Sequence, residues 1–383
     1  MLTFTGFTGI NNVLPEHRTS TADLLRADNV NIGLTNEISR REGYTEVSDQ
    51  CHKNIWDGQG FMLATCGAQL MAIWPNGDRH VIHPAFGHER VWYCNLPDGR
   101  TTYTNGRLHG TTDGRTGVDR SVTEPSSLGL QSTGSGELHP GEYRYFLTYV
   151  RLADRFESPA VASGMVTLSG SLMLDGLPQL TGHEIQVYMS GKDGEGAFLA
   201  GVTAGNSFEY TGKNANLVLP CRTLGARPFP VGTVTAYWRG RVLTARGSEL
   251  WASRSYTPHL SDWRDFKAFP SPITAILPVL DGVYVGTESE LYFLSGASWD
   301  ALAQVPTLRG SVVLGSGASA PGHRLKLGDA VGDGQAGVCI AGGEIVACFG
   351  GGRTASLTAD RYKAEAKEVW ATFRENNGIP QYM

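Results

Sequence analysis

The chain has 383 residues, a formal net charge of −5 and a pI near 6.1. With 41% hydrophobic and 18% charged residues it belongs with folded rather than disordered chains. Its mild acidity supplies no global field that would gather nucleic acid. Glycine is the outlier, at 49 of 383 residues, against a usual share of about 7%. The glycines are scattered between short apolar runs and show no collagen period, which predicts many tight turns and many short strands.

The opening "MLTFTGFTGINN" has no basic segment leading into an apolar core, so no signal peptide is expected. No apolar run reaches the ~18 residues a membrane-spanning helix needs. Ser20 and Asp23 have capping-box spacing ahead of Leu24 and Leu25, which predicts a short helix in an N-terminal arm over residues 1–28. Then Val30, Ile32 and Leu34 alternate with polar residues, Asn36 turns the chain, and Ile38 to Val47 returns. Period two reads as a half-buried strand.

Strand–turn–strand units follow. "FMLATCGAQLMAIWPNGDRHVIH" turns at Gly67 and at Asn76-Gly77, and "ERVWYCNLPDGRTTYTNGRLHG" turns at Pro97-Asp98-Gly99 and Asn105-Gly106. Asn-Gly suits type I′ turns because both central residues take positive φ. Composition changes near residue 122, where "TEPSSLGLQSTGSGELHPG" is rich in Gly, Ser and Pro. Beyond it, Tyr143, Tyr145, Leu147 and Tyr149 alternate along one strand, and "HEIQVYMSGKDGEGAFLAGVTAGNSFEYTG" supplies three more with glycine-rich turns. That cadence is expected of a small β-sandwich. Residues 128–225 resemble a fibronectin type III-like module, inserted over 123–225.

From Val231 the first style resumes. Short strands turn at Arg239-Gly240, Gly247-Ser248, Asp281-Gly282 and Thr287–Ser289, and "AGVCIAGGEIVACFGGG" adds another pair. Radial repetition is the expected architecture. The fold expectation is therefore an all-β chain, a β-propeller of about five to seven blades, built from residues 29–122 and 226–383. The tail "DRYKAEAKEVWATFRENNGIPQYM" fits either a helix through Tyr362, Ala366, Val369 and Phe373 or a hairpin at Asn377-Gly378. The hairpin is favoured, because pairing the two termini would close the ring and remove sheet edges.

Few motifs point to chemistry. Gly332, Gly334 and Gly337 spell G-x-G-x-x-G, but a strand pair follows them where a dinucleotide site needs a helix. Asp329, Asp333 and Gly334 fall short of a calcium loop. Ser190–Phe198 resembles an Asp-box turn with the aspartate one residue late. "GSGASAPG" is no nucleophile elbow, and none of the ten histidines sits in H-E-x-x-H. Cys51, Cys66, Cys94, Cys221, Cys339 and Cys348 form no C-x-x-C pair and suit no zinc site, so they read as small buried residues in a reducing cytoplasm. There is no N-x-S/T glycosylation site. Trp92, Tyr93, Tyr237, Trp238, Trp251, Tyr284 and Tyr292 lie in expected strands, where inter-blade packing competes with a carbohydrate platform. Arg40 and Arg41 read either as a solvated strand edge or as ion-pair donors to a neighbouring subunit. No catalytic, cofactor or metal residue is assigned.

Phe7–Pro15, "F-x-G-x-x-N-x-x-P", and Ala27–Tyr44, "A-x-N-V-N-I-x-x-T-N-E-I-S-R-R-E-G-Y", together resemble the opening segment of tailed-bacteriophage virion proteins with propeller bodies. The tail nozzle proteins, also called tail tubular or head–tail stabilisation proteins, are the best known of these. Asn36-Glu37 departs from the group, which usually has Gly there. "YWRGRVLTARGSELWASR…PHLSDW" and "ITAILPVLDGVYVGTESELYFLSG" are similar to its blade signatures. The resemblance implies a non-enzymatic virion subunit made in the bacterial cytoplasm, without cofactor. It implies a homo-oligomeric ring, hexameric rather than trimeric, between an adaptor or portal ring and fibres or tip. Genomic DNA would pass through without specific binding, which an acidic lumen would favour. A tail-tip or baseplate component of a long-tailed phage is the alternative, and a carbohydrate-active propeller enzyme a further one.

Overall fold

The computed structural model describes residues 6–33, 35–46, 48–327, 330–332, 334–359, 361–376 and 378–383. Among these residues the only helical turns are short 3-10 segments such as Glu16–Arg18, and everything else regular is strand.

Six four-stranded sheets occur, and five of them follow one plan. Sheet I comprises His52–Asp57, Met62–Cys66, Gln69–Ile73 and Arg79–His83. Sheet II comprises Trp92–Asn95, Thr101–Thr104, His109–Thr112 and Gly117–Asp119. Sheet III comprises Thr233–Trp238, Arg241–Arg246, Glu249–Ala252 and Phe266–Ala268. Sheet IV comprises Ile273–Val279, Gly282–Thr287, Glu290–Ser295 and Ala303–Arg309. Sheet V comprises Ala318–Pro321, Gln335–Ala341, Glu344–Cys348 and Thr354–Ser356. Each is an antiparallel meander, and the first strands of all five border one central cavity. This is a propeller-type arrangement.

The sheets are stacked face to face through apolar cores. Leu63, Leu70, Phe86, Tyr93 and Tyr103 join I to II. Leu96, Phe229 and Val242 lie between II and III. Leu243, Leu250, Val283, Val285 and Leu294 join III to IV. Tyr284, Phe293, Cys339, Val346 and Cys348 join IV to V. Trp238, Tyr284 and Tyr292 are thus buried inter-sheet packing. The Tyr284 hydroxyl donates across the IV–V boundary to the carbonyls of Phe349 (2.7 Å) and Arg353 (2.9 Å). The turns fall where Asn-Gly and Asp-Gly predict them; Gly77, Gly106 and Gly240 take φ of 90°, 85° and 83°.

Two expectations at the chain ends are corrected. The leucine helix does not form: Asp23–Leu24 is a short strand, parallel to Gly9–Ile10. The Asp23 carboxylate accepts from Thr8 Oγ1 (2.6 Å) and Asn11 Nδ2 (3.1 Å), so the group expected to help start a helix serves distant partners. The tail is a hairpin, Phe373–Asn376 with Ile379–Tyr382, though Asn377 lies outside the described residues. This hairpin pairs with no N-terminal strand; Phe373 and Tyr382 pack on the outer side of sheet V. The two ends meet through side chains, with Asn12 Nδ2 donating to Lys363 O (2.8 Å) and Lys363 N to Asn12 Oδ1 (2.7 Å). The hairpin Val30–Ile32 with Ile38–Arg40 joins none of the five sheets. Leu34 and Val47 lie outside the described residues.

Between sheets II and III, residues 130–210 form sheets of their own. Val161–Ala162, Tyr145–Arg151, His183–Met189 and Phe198–Thr203 make one layer. Leu138–Tyr143 pairs with Val166–Gly170, and Leu172–Asp175 lies between Leu130–Ser132 and Ser207–Tyr210. Tyr143, Tyr145, Leu147 and Tyr149 point into a shared core with Leu172, Leu174, Val187 and Met189. The Ser190–Phe198 segment is the turn of a hairpin, pinned by Asp193 N donating to Glu142 O (2.8 Å).

Buried imidazoles hold this insert to the body. His259 stacks on Phe156, ring centroids 4.1 Å apart, and its Nε2 donates to Glu157 O at 2.9 Å. Its Nδ1 is buried without a partner, so a second proton there would be unsatisfied. Nearby, Arg120 is wholly buried against Phe229 and donates from Nη2 to His109 Nδ1 (2.9 Å). A guanidinium can only donate, so His109 accepts at Nδ1 and carries its proton on Nε2, toward Ser121 Oγ (2.8 Å). Asp119, 3.7 Å away, therefore faces a neutral ring. Burial pushes His259 down to about 4, and burial together with Arg120 pushes His109 down to about 3.

The unfolded chain takes up protons on these rings near pH 6.5, well before the folded chain does. Their contribution is fully present above pH 6.5 and is lost as pH falls toward 4. The unfolding free energy from urea titration is expected to drop between pH 7 and pH 5 by about 2 kcal/mol per histidine. His259→Gln should flatten about half of that dependence.

Candidate functional site

The axial cavity has a volume of about 1220 Å³. The first strands reach it bent. Register shifts interrupt them between Lys53 and Trp56, between Thr233 and Thr235, and between Ile273 and Ala275. A bulge bends a strand locally and re-aims its side chains. Asn54 occupies the first of these at φ 51°, a conformation asparagine tolerates. Its amide donates to Thr65 Oγ1 (3.0 Å) and Glu89 O (3.2 Å) and accepts from Val91 N (3.2 Å), stitching sheet I to sheet II. Val234 occupies the second at φ 44°, which for a β-branched residue costs on the order of 1–3 kcal/mol.

The walls carry Trp56, Trp92, Tyr237 and Trp370. Lys53 and Arg90 face a single acid, Glu368, with His52 and His88 also on the lining. The cavity thus collects positive charge in a chain whose formal net charge is −5.

Arg90 joins the start of sheet II to the segment that precedes the tail hairpin. Its guanidinium carbon lies 4.2 Å from the Trp92 ring centre and 4.4 Å from that of Trp370. Nη1 is 3.0 Å from Glu368 Oε1, and the Arg90 side chain is only 13% exposed. Burial lowers the pKa of Arg90 from its ordinary value, opposed by the hydrogen bond and charge of Glu368; the group remains a cation. Glu368 and Trp370 belong to a strap, residues 361–372, that precedes the tail hairpin. Val369 N donates to Leu314 O (3.0 Å) and Ala371 N to Gly315 O (3.2 Å), which fixes the strap along the approach to sheet V. Gly315 has φ 78°, and a Cβ on it would fall 2.0 Å from Arg90 Nη2 and 2.1 Å from Val369 O. Glycine is required at that close approach.

Chemically this is a cation in contact with two indoles and paired with one carboxylate. Two carboxylates placed for glycoside hydrolysis would be needed for an enzyme of that class, and Glu368 is the one acid on the lining. Among the described residues, no group of three or more His, Cys, Asp or Glu could hold a metal ion. Gly332, Gly334 and Gly337 precede or join a strand, Gln335–Ala341, and Asp329 and Asp333 lie outside the described residues. "GSGASAPG" forms the wall around Gly315, with Ser316 buried and bonded to Val313 O (2.7 Å). No cysteine is paired; Cys94, Cys221, Cys339 and Cys348 are buried, Cys66 is half-buried and Cys51 is exposed. Burial pushes the Cys94 thiol up to about 12.

Sequence reasoning singled out Trp92 and Tyr237 but missed Arg90, Glu368 and Trp370. A signal existed: Arg90-Val91-Trp92 and Glu368-Val369-Trp370 are the same tripeptide with opposite charge at its head.

No family model matches the chain, and no curated protein matches it. Among solved structures it is similar to PorZ, a bacterial surface component of the type-IX secretion system of Porphyromonas gingivalis, at 11% identity and a TM-score of 0.31. That match covers 86% of this chain and 35% of PorZ, so the chain spans about a third of PorZ. Streptogramin B lyase matches at 9% identity and a TM-score of 0.32, covering 88% and 92% of the two chains. BBS1N, solved in complex with ARL6DN, matches at 9% identity and a TM-score of 0.29, covering 86% and 90%. At these values the likenesses carry no inference about what this chain does.

Gly315→Ala is expected to destabilise the protein by about 2–4 kcal/mol and to speed protease cleavage within the strap. Gly351, at φ 72° with nothing within 4 Å of a built Cβ, is the control. Its alanine variant should cost about 1 kcal/mol and leave cleavage of the strap unchanged.

Proposed function

We propose that the chain is a non-enzymatic structural subunit of a tailed-phage virion, a ring-forming tail nozzle or hub. In this reading it is a five-bladed propeller of sheets I to V, interrupted by a fibronectin type III-like sandwich. It lines or extends the DNA-ejection channel and docks neighbouring tail proteins. The observation that carries the reading is the arm. Residues 35–46 are all exposed, Tyr44 by 97%. Arg40 and Arg41 pair with no carboxylate among the described residues. A lone two-stranded hairpin is marginal in water, so this one calls for an outside surface. Asn11, Asn12 and Asp23 hold its base in place against Arg361 and Lys363, which presents the hairpin away from the body. The sequence resemblance of this same segment to virion proteins supports the assignment.

The tail-tip or baseplate alternative draws on the insert, whose surface exposes Leu130 by 78% and Val218 by 74%. Such residues suit contact with fibres or a host surface.

Cryo-electron microscopy of the particle containing this chain tests the reading. A closed ring on the tail axis, with each arm seated on a neighbour, is the expected result. An off-axis monomer or trimer with the insert outward overturns it in favour of attachment. The paired substitution Ile38→Ser, Tyr44→Ser should leave the melting temperature of the isolated chain within about 2 °C, since both side chains are exposed. Sedimentation should then show assembly reduced by tenfold or more in concentration dependence.

A further inference from the structure

We propose that the axial cavity is a binding site for a carboxylate-bearing ligand, which takes the Arg90 guanidinium from Glu368. The inference does not rest on the virion reading. Four observations converge on it. Arg90 stands inside a cavity of about 1220 Å³. The Trp92 and Trp370 rings both stand against its guanidinium, at 4.2 and 4.4 Å, so further partners are recognised through its N–H groups. Its donors are not all engaged: the bond to Glu368 is through Nη1 alone, with Nη2 packed close to Gly315, whereas arginine offers five N–H donors. Finally, the lining holds Lys53 and Arg90 against one acid, so removing Glu368 from the guanidinium leaves a wholly cationic lining.

Glu368 shows what the site accepts. It is a carboxylate from the chain itself, 278 residues from Arg90 in sequence and 46% exposed. An ion pair whose acid is open to solvent holds weakly. A competing carboxylate can take the Nη1 donor that Glu368 holds, and the aromatic walls of Trp56 and Tyr237 suit the carbon skeleton behind it. The strap carrying Glu368 then loses its contact with Arg90 while Val369 and Ala371 remain bonded at Leu314 and Gly315. Occupancy of the cavity is thereby coupled to looseness of residues 361–372. Both a free dicarboxylate and an acidic side chain of a partner protein present this chemistry.

The test is isothermal titration of the full chain with succinate, at ionic strength matched with sodium chloride. It is repeated with an acetylated, amidated peptide containing Glu-Gly-Glu and with inorganic phosphate. Wild type, Arg90→Met and Glu368→Gln are compared, with limited proteolysis of the strap as a second readout. Glu368→Gln keeps the shape of the competitor and removes its charge, so it should bind succinate or the peptide roughly threefold to tenfold more tightly than wild type. Arg90→Met should lose binding, and ligand should speed strap cleavage in wild type. Binding of succinate identifies a free dicarboxylate as the source; binding of the peptide alone identifies a partner's side chain. Equal affinity of Glu368→Gln and wild type, binding by neither, or a preference for phosphate over both carboxylates overturns the proposal. Glu368→Gln does not disturb the indole contacts, so the test survives even if Arg90→Met fails to fold.

Discussion

A β-sheet with two apolar faces must have both covered, and that requirement organises this protein. Sheet I is covered by sheet II, II by III, III by IV and IV by V, each through its own cluster of buried side chains. Sheet V is covered by Phe373 and Tyr382 of the tail. The series leaves one joint, between the tail and the start of sheet II, without an apolar cluster of its own. There the structure substitutes a cation, two indoles and a carboxylate. Cation–π contacts and a partly exposed ion pair contribute about 1 kcal/mol each, far less than a core that buries several leucines. The candidate site therefore lies at the joint where polar groups are the main means of closure.

The same requirement explains the insert and the arm. The insert has a core of its own, built from Tyr143, Leu147, Leu172, Leu174 and Val187, and meets the body through rings and guanidinium groups rather than a shared core. Phe156 on His259, and Arg151 donating to the carbonyls of Ser121 and Asp119, are such contacts. The arm has no core, and its only described holds on the body are polar ones near Arg361 and Lys363.

Much of the strand pattern was legible from glycine and from period two. Asn76-Gly77 and Asn105-Gly106 marked turns because their glycines take a positive φ that few residues adopt. The alternating Tyr143 to Tyr149 stretch marked core residues of the insert, but as two strands: Tyr143 ends Leu138–Tyr143 and the others lie in Tyr145–Arg151. Leu24 and Leu25 misled because local capping chemistry cannot reveal that Thr8 and Asn11 claim the Asp23 carboxylate. Arg90 and Glu368 were invisible for a related reason. Their pairing spans nearly the whole chain, and neither sits in a local motif whose chemistry announces itself. Only the repeated tripeptide, read with the expectation that blades repeat, hints at the match.

The arm–tail junction has a mechanical consequence. Asn12 and Lys363 exchange two side-chain bonds, and Asn12 N donates to Arg361 O (2.9 Å). The polypeptide is thereby a loop, tied off near both ends, with all five sheets and the insert inside it. Tension applied across the ends is borne first by this knot of polar bonds. The sheets feel load only after it parts, and then from the outermost layers inward. A subunit that sits in the path of a moving polymer would shed its ends before its body yields.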